Sequence, residues 1–256
     1  VRNQLLIGKD VGYLKEDVVV DYTGGTKNMT ASLVLAAIEY GFSFSYVGGD
    51  ERTKDGIGIV INGKEKIYKN INPWDFLAKE ERKKISLLFN QHQFNAAKDI
   101  ADDLSSKTTK NKTTFKKLGF LIDGYYMWDL FRHQDALERL KRAKIDELME
   151  SNDEGVSVFA KASNEKMKFL EKFADGKREA SAHFILDMFA NAERRLEEGK
   201  IDDAILRLYR LVEMAAQERL LNKHDIDTSD VQRDKIPEKM KEQVIKEYRN
   251  QSDGKI

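Results

Sequence analysis

The spacing of apolar positions changes once along this chain, near Asn72-Pro73-Trp74. Before that point short apolar runs alternate with glycine-rich turns. The β-branched run Val18-Val19-Val20 predicts a buried strand over 17–23. Met29, Leu33, Ala36, Ala37 and Ile38 recur at helical spacing and predict a helix over 26–40. Phe42 to Val47 alternates with serine and predicts a second strand, ended by Gly48-Gly49-Asp50. Ile57–Ile61 and Glu65–Tyr68 flank Asn62-Gly63, a strong hairpin-turn signal. Strand, helix and strand in that order imply a right-handed parallel crossover.

After Pro73 the period is helical almost throughout. Helices are expected at roughly 75–105, 112–131, 133–151, 163–175, 180–198, 201–222 and 237–249. The polar stretch Ser105–Thr114 reads as a flexible connection. Asn152-Asp153-Glu154-Gly155 and Asp175-Gly176 read as helix stops. Phe120–Leu140 and Ala190–Leu211 share a layout: a helix, a short break, then a helix of the form D-A-hydrophobic-x-R-L. The layout resembles tetratricopeptide-type helix pairs, but two copies are too few for a solenoid. A helical bundle is the simpler expectation.

Composition narrows the function. The chain has 256 residues, enough for a sizeable core, and 44 basic against 44 acidic side chains. Zero net charge excludes a uniform nucleic-acid-binding coat but not a local basic site. With no cysteine, disulfides and thiolate metal sites are ruled out, and four scattered histidines point to no metal site. No apolar run reaches the roughly 20 residues that span a bilayer, and no signal peptide opens the numbering. The expected setting is cytoplasmic, with no membrane and no cofactor. Val1 to Lys9 read as the inside of something larger, so a fragment is expected.

The most informative stretch is Asp21-Tyr22-Thr23-Gly24-Gly25-Thr26-Lys27-Asn28-Met29-Thr30, a strand–glycine loop–helix junction. Such a junction aims backbone N–H groups and a helix N-terminus at an anion. Gly24 and Gly25 allow close approach, Thr26 can cap the helix, and Lys27 adds a cation in the first turn. The spacing matches neither a Walker A loop nor GxGxxG, so neither ATP hydrolysis nor dinucleotide binding is supported. On loop chemistry alone, an anion site and a purely structural turn are equally good readings.

The order D-x-T-G-G-T-K-x-M resembles the CRISPR-associated Rossmann-fold (CARF) domain, which senses cyclic oligoadenylates in type III CRISPR immunity. Tyr46-Val47-Gly48-Gly49-Asp50-Glu51-Arg52, the glycine-rich hairpin and Asn72-Pro73-Trp74 continue the resemblance over about the first 75 residues. It implies an α/β Rossmann-like sensor at 1–74, lacking its first half, and an all-α effector or interaction domain at 75–256. It further implies a homodimer with cyclic oligoadenylate across the two-fold axis, held by Thr23, Gly24, Gly25, Thr26, Lys27 and Met29. Met29 is expected to pack under the loop. Arg52 could reach the ligand edge, but a solvated loop arginine is the preferred reading.

Residues 184–222 are similar to helices of HEPN domains, with HEPN-like character around 180–222. HEPN domains cleave RNA through an R-x4–6-H motif: the arginine stabilises a phosphorane and the histidine moves protons. Arg178 and His183 fit by spacing and are the candidate catalytic pair, although Glu179 departs from the residue usual after the arginine. Arg249-Asn250 is a second possible start. A solvated helix face is the preferred reading of both, and a HEPN motif is expected beyond Ile256.

Other features read as structural. Tyr125, Tyr126, Trp128 and Phe131 form a core stripe with His133 beside it. Glu193, Arg194 and Arg195 read as ordinary surface pairing. The leading function is a signal-activated antiviral ribonuclease acting on single-stranded RNA. A non-catalytic cyclic oligoadenylate sensor, a ring nuclease that cuts the cyclic ligand at Thr26 and Lys27, and a generic nucleotide-binding regulator stand beside it.

Overall fold

The structure, a computed structural model, describes residues 17–51, 60–173 and 182–251. The chain divides into two compact units, Val1–Met167 and Lys168–Ile256.

The first unit opens with β1 (Val19–Asp21), α1 (Lys27–Ile38), β2 (Ser43–Gly48) and β3 (Lys66–Ile71). β1 and β2 pair in parallel, with Val19 opposite Ser43 and Asp21 opposite Ser45. α1 connects them, as the strand–helix–strand order predicts. β3 pairs antiparallel with β2, giving the order β1-β2-β3. Val20, Ala37, Phe42 and Phe44 form the small core between sheet and helix.

β1 is shorter and more open than its β-branched run suggests. Only Val20 is buried, and Val19 is 52% exposed. The reason is its place at the sheet edge among the described residues, with α1 packed on the face that Val20 presents. The Asn62-Gly63 turn forms as expected: Lys64 N–H donates to the Ile61 carbonyl at 2.9 Å, and Gly63 has φ +80°. Arg52 and most of the first hairpin arm lie outside the described residues.

The rest of the unit is helical: α2 (Trp74–Asn90), α3 (Phe94–Lys107), α4 (Lys112–Asp129), α5 (His133–Arg142), α6 (Ile145–Met149) and α7 (Glu154–Leu170). α2 packs on α3, α3 on α4 and α4 on α5, and α6 also packs against α4. Ala97 and Ala101 are fully buried and let α3 approach α4. Phe94, Leu104, Phe115, Leu118 and Ile122 fill the core. Tyr125 stacks on Phe159, meets Phe89 edge-on at 4.9 Å, and donates to Ser163 Oγ at 3.1 Å. Tyr125 and Tyr126 of the aromatic stripe thus pack against the core, half-buried, and burial pushes the Tyr125 phenol upward.

Three helix boundaries differ from expectation. His92, with φ +60°, divides the helix expected over 75–105, and Lys144, with φ +49°, divides 133–151. The expected stop at 152–155 is a start. Val156 N–H donates to Asp153 Oδ1 at 3.2 Å, so Asp153 caps α7. The other expected stop, Asp175-Gly176, lies outside the described residues.

The Ser105–Thr114 connection is also tighter than its polarity suggests. Ser105 to Lys107 are helical, and Thr108 is 3% exposed. Asp75 accepts from Thr109 N–H at 3.1 Å, Thr109 Oγ1 at 3.0 Å and Lys110 N–H at 3.2 Å. Asn72 Nδ2 donates to the Lys107 carbonyl at 2.7 Å. Trp74 Nε1 donates to the Ile38 carbonyl at 2.6 Å, and Lys107 Nζ lies over the Trp74 ring. Asn72, Trp74 and Asp75 thus tie the α/β segment to the helices that follow.

In the second unit α8 (Ala182–Glu197) packs on α9 (Ile201–His224), and α10 (Glu238–Gln251) follows. Asn191, Ala192, Ala204 and Met214 are buried.

Candidate ligand loop and helical half

The loop after β1 is built from the strand end upward. Asp21 accepts from Thr23 N–H at 3.0 Å and from the Ser45 hydroxyl on its register partner. Those donors, the Ser45 hydroxyl foremost, hold the Asp21 carboxyl below its ordinary range. Thr23 Oγ1 accepts from Val47 N–H at 2.8 Å. Thr23 is therefore committed in part to fastening the loop to β2.

Gly25 has φ +139°, a conformation costly for any residue with a Cβ. A Cβ on Gly24 would meet nothing within 4 Å. Thr26 is the N-cap of α1: it is extended, and its Oγ1 accepts from Met29 N–H at 3.4 Å. Lys27 opens the helix and is exposed. Met29 does not pack under the loop; it is 64% exposed. The reason is its place in the first turn, above the short core that begins lower on α1.

The structure thus brings Thr23, Gly24, Gly25, Thr26, Lys27 and Met29 onto one exposed loop at the C-terminal end of a parallel strand. Open α/β sheets bind ligands at that position. Beside it three rings form a column, from Tyr22 just after β1, Tyr46 within β2 and Tyr68 within β3. Tyr22 stacks on Tyr46 at 5.4 Å, and Tyr46 on Tyr68 at 6.2 Å. Asp50 closes the far side, accepting from the Tyr68 hydroxyl at 3.1 Å and pairing with Lys66. Lys66 lowers the Asp50 pKa, and Asp50 raises that of Lys66. Sequence reasoning gave Asp21, Ser45 and the tyrosine column no role. The parallel pairing of residues 21 and 45 was the signal available.

In the second unit Arg178 lies outside the described residues. His183 sits on α8 against Phe169 and Phe173, with ring centroids 5.9 and 6.5 Å away. Arg195 is not a surface residue. It is 8% exposed and pairs with the buried Glu198 carboxylate at 2.9 Å, which Lys200 also reaches at 3.1 Å. Among the described residues, no three His, Asp or Glu side chains gather as a metal site, and no helix is long and apolar enough to cross a membrane.

Comparison with known families accounts for the helical part. Residues 174–256 match the family model of the Csm6 HEPN domain, and residues 77–170 match that of the Csm6 6H domain. Together the two matches fit a type III CRISPR-associated protein with a HEPN C-terminal part. More narrowly, its two helical segments are similar to the 6H and HEPN domains of Csm6, in that order. The α/β segment stands before both matches. A search of curated proteins returned no match.

Proposed function

We propose that this chain is a cyclic oligoadenylate-responsive effector, with a Rossmann-type CARF sensor around the glycine loop and a metal-independent HEPN endoribonuclease. The match of residues 174–256 to the Csm6 HEPN domain carries the ribonuclease half of this reading. The exposed, Thr26-capped N-terminus of α1 supports the sensor half. It offers free backbone N–H groups, two glycines and Lys27 where a phosphodiester can approach.

In the proposed chemistry an RNA 2′-hydroxyl attacks the adjacent phosphorus, and the 5′-oxygen of the next nucleotide leaves. The products are a 2′,3′-cyclic phosphate and a free 5′-hydroxyl, with no net redox change. A histidine moves the protons and an arginine steadies the phosphorane charge. Arg178 and His183 are the candidate pair in this chain, and Arg249 is the alternative arginine. Activation requires the cyclic ligand to bind one arrangement of a homodimer more tightly than the other. Ile205, Leu208 and Val212 support a dimer, because they stay exposed at helical spacing along α9.

The test incubates the protein with labelled single-stranded RNA and cyclic oligoadenylates of each ring size. RNA cleavage that starts with one ring size and persists in chelator upholds the reading. Tight ligand binding without cleavage leaves a non-catalytic sensor. Degradation of the ring alone indicates a ring nuclease.

A further inference from the structure

We infer that a groove between α3, α4 and α5 of the first unit binds the backbone of single-stranded RNA. The groove has a volume of about 630 Å3. Its cations are Lys98, Lys112, Lys116 and Arg139, and its carboxylates are Asp102 and Asp123. Four positive groups against two negative ones leave a surplus of two in a protein whose overall charge is zero.

The surplus is localised. Lys98 is held by Asp102 at 3.0 Å, and Arg139 by Asp123 at 3.1 Å. Lys112 and Lys116 make no ion pair among the described residues, and both are exposed. They stand four residues apart on one face of α4, about 6 Å along its axis. Two mobile ammonium groups at that separation suit successive phosphates of an extended strand. Lys112 is also the first residue of an 18-residue helix, whose N-terminal dipole adds to its charge.

The remaining lining fits a nucleic acid better than a simple anion. Phe120 lies half-buried on the same face of α4 as Lys116 and contributes an aromatic wall. A cationic track with an aromatic ring is how single strands are held without sequence preference. Ser105 and Ser106 donate to the Asp102 and Asp103 carbonyls, leaving hydroxyl lone pairs to accept from a ribose. The choice of RNA over DNA rests on the ribonuclease reading; the groove's own chemistry specifies a single-stranded polyanion with stackable bases.

The test measures affinity of the full chain for a fluorescent single-stranded RNA 12-mer, without cyclic ligand, across a salt series. Lys112→Ala/Lys116→Ala should weaken binding at least fivefold at low salt. It should also flatten the slope of log K against log salt by about 1.4, roughly 0.7 per lost phosphate contact. Phe120→Leu should weaken binding with the slope unchanged. Lys79→Ala/Lys84→Ala, which removes equal charge from α2, should change affinity less than twofold. Affinity within twofold of the parent in the Lys112/Lys116 variant overturns the assignment, as does an equal loss in the α2 variant. Equal affinity for single-stranded DNA or for polyglutamate overturns the RNA choice. Lysine-dependent binding without triggered cleavage keeps the groove and sinks the ribonuclease reading. Triggered cleavage with binding unchanged in the variant does the reverse.

Discussion

Arg207 donates through Nε to the side-chain oxygen of Asn191, 16 residues upstream on the preceding helix. Arg139 reaches Asp123 across the same sequence separation, at 3.1 Å. The turns between the helices agree as well. Phe131 and Gly199 both have positive φ, and their N–H groups donate to Trp128 and Leu196 carbonyls at 2.8 and 2.9 Å. Ala136 and Ala204 are both buried one residue after an aspartate. The shared D-A-hydrophobic-x-R-L layout therefore encodes one helical hairpin twice, once in each unit.

The two hairpins differ where the arginine lands, and that difference is measurable. Asp123 is a nearly buried carboxylate, whereas Asn191 is neutral. Arg139→Ala should destabilise the first unit by about 3 kcal/mol, because it strands a charge. Arg207→Ala should cost the second unit only about 1 kcal/mol. Asp123→Asn in the Arg139→Ala background should recover part of the loss. Urea unfolding of the variants checks all three, and equal costs would refute the distinction.

Lys27→Ala should lower cyclic oligoadenylate affinity by about 1–3 kcal/mol, the usual worth of a charged hydrogen bond to phosphate. Titration calorimetry decides it; a change below twofold would mean the ligand sits elsewhere. Gly25→Ala should lower affinity with little loss of global stability, because the strain at φ +139° is confined to an exposed loop.

The loop anchor should fail in acid. The Asp21 pKa is lowered in the folded chain, so its contribution is fully present above the ordinary carboxylate value, near 3.9. It is lost only as pH falls through the depressed folded value. Ser45→Ala removes the largest cause of the depression and should move the loss upward in pH. The Thr23 amide resonance, followed through an acid titration, reports the transition. An unchanged midpoint in Ser45→Ala would rule out that hydroxyl as the cause.

Trp74→Phe should loosen the tie between α1 and the helices. It deletes the donor to the Ile38 carbonyl and weakens the Lys107 contact, at about 1–2 kcal/mol. Hydrogen exchange at the C-terminal turn of α1 should accelerate first. Uniform acceleration across α4 instead would show a general packing defect.

What the sequence disclosed follows from how local each cause is. The parallel pair, α1 and the Asn62-Gly63 turn rest on neighbouring residues, and their patterns were legible. His92 and Lys144 break helices through a left-handed backbone that neither residue type advertises. The 105–114 stretch looked loose because its polarity is local, whereas Asp75, which grips Thr109 and Lys110, lies more than thirty positions away. The site shows the same division. The glycines and Lys27 were visible in the motif, while the Asp21–Ser45 latch and the Tyr22–Tyr46–Tyr68 column needed the strand register. Arg195 looked solvated because Glu193 and Arg194 flank it, yet it turns inward to Glu198.

The exposure of Met29 makes its thioether a chemical witness to the loop's occupancy. Peroxide can convert it to the sulfoxide wherever solvent reaches the sulfur. A molecule seated over Gly24 and Gly25 would shield it, so the rate of that single oxidation, read by mass spectrometry, becomes a label-free gauge of whether the cradle is full.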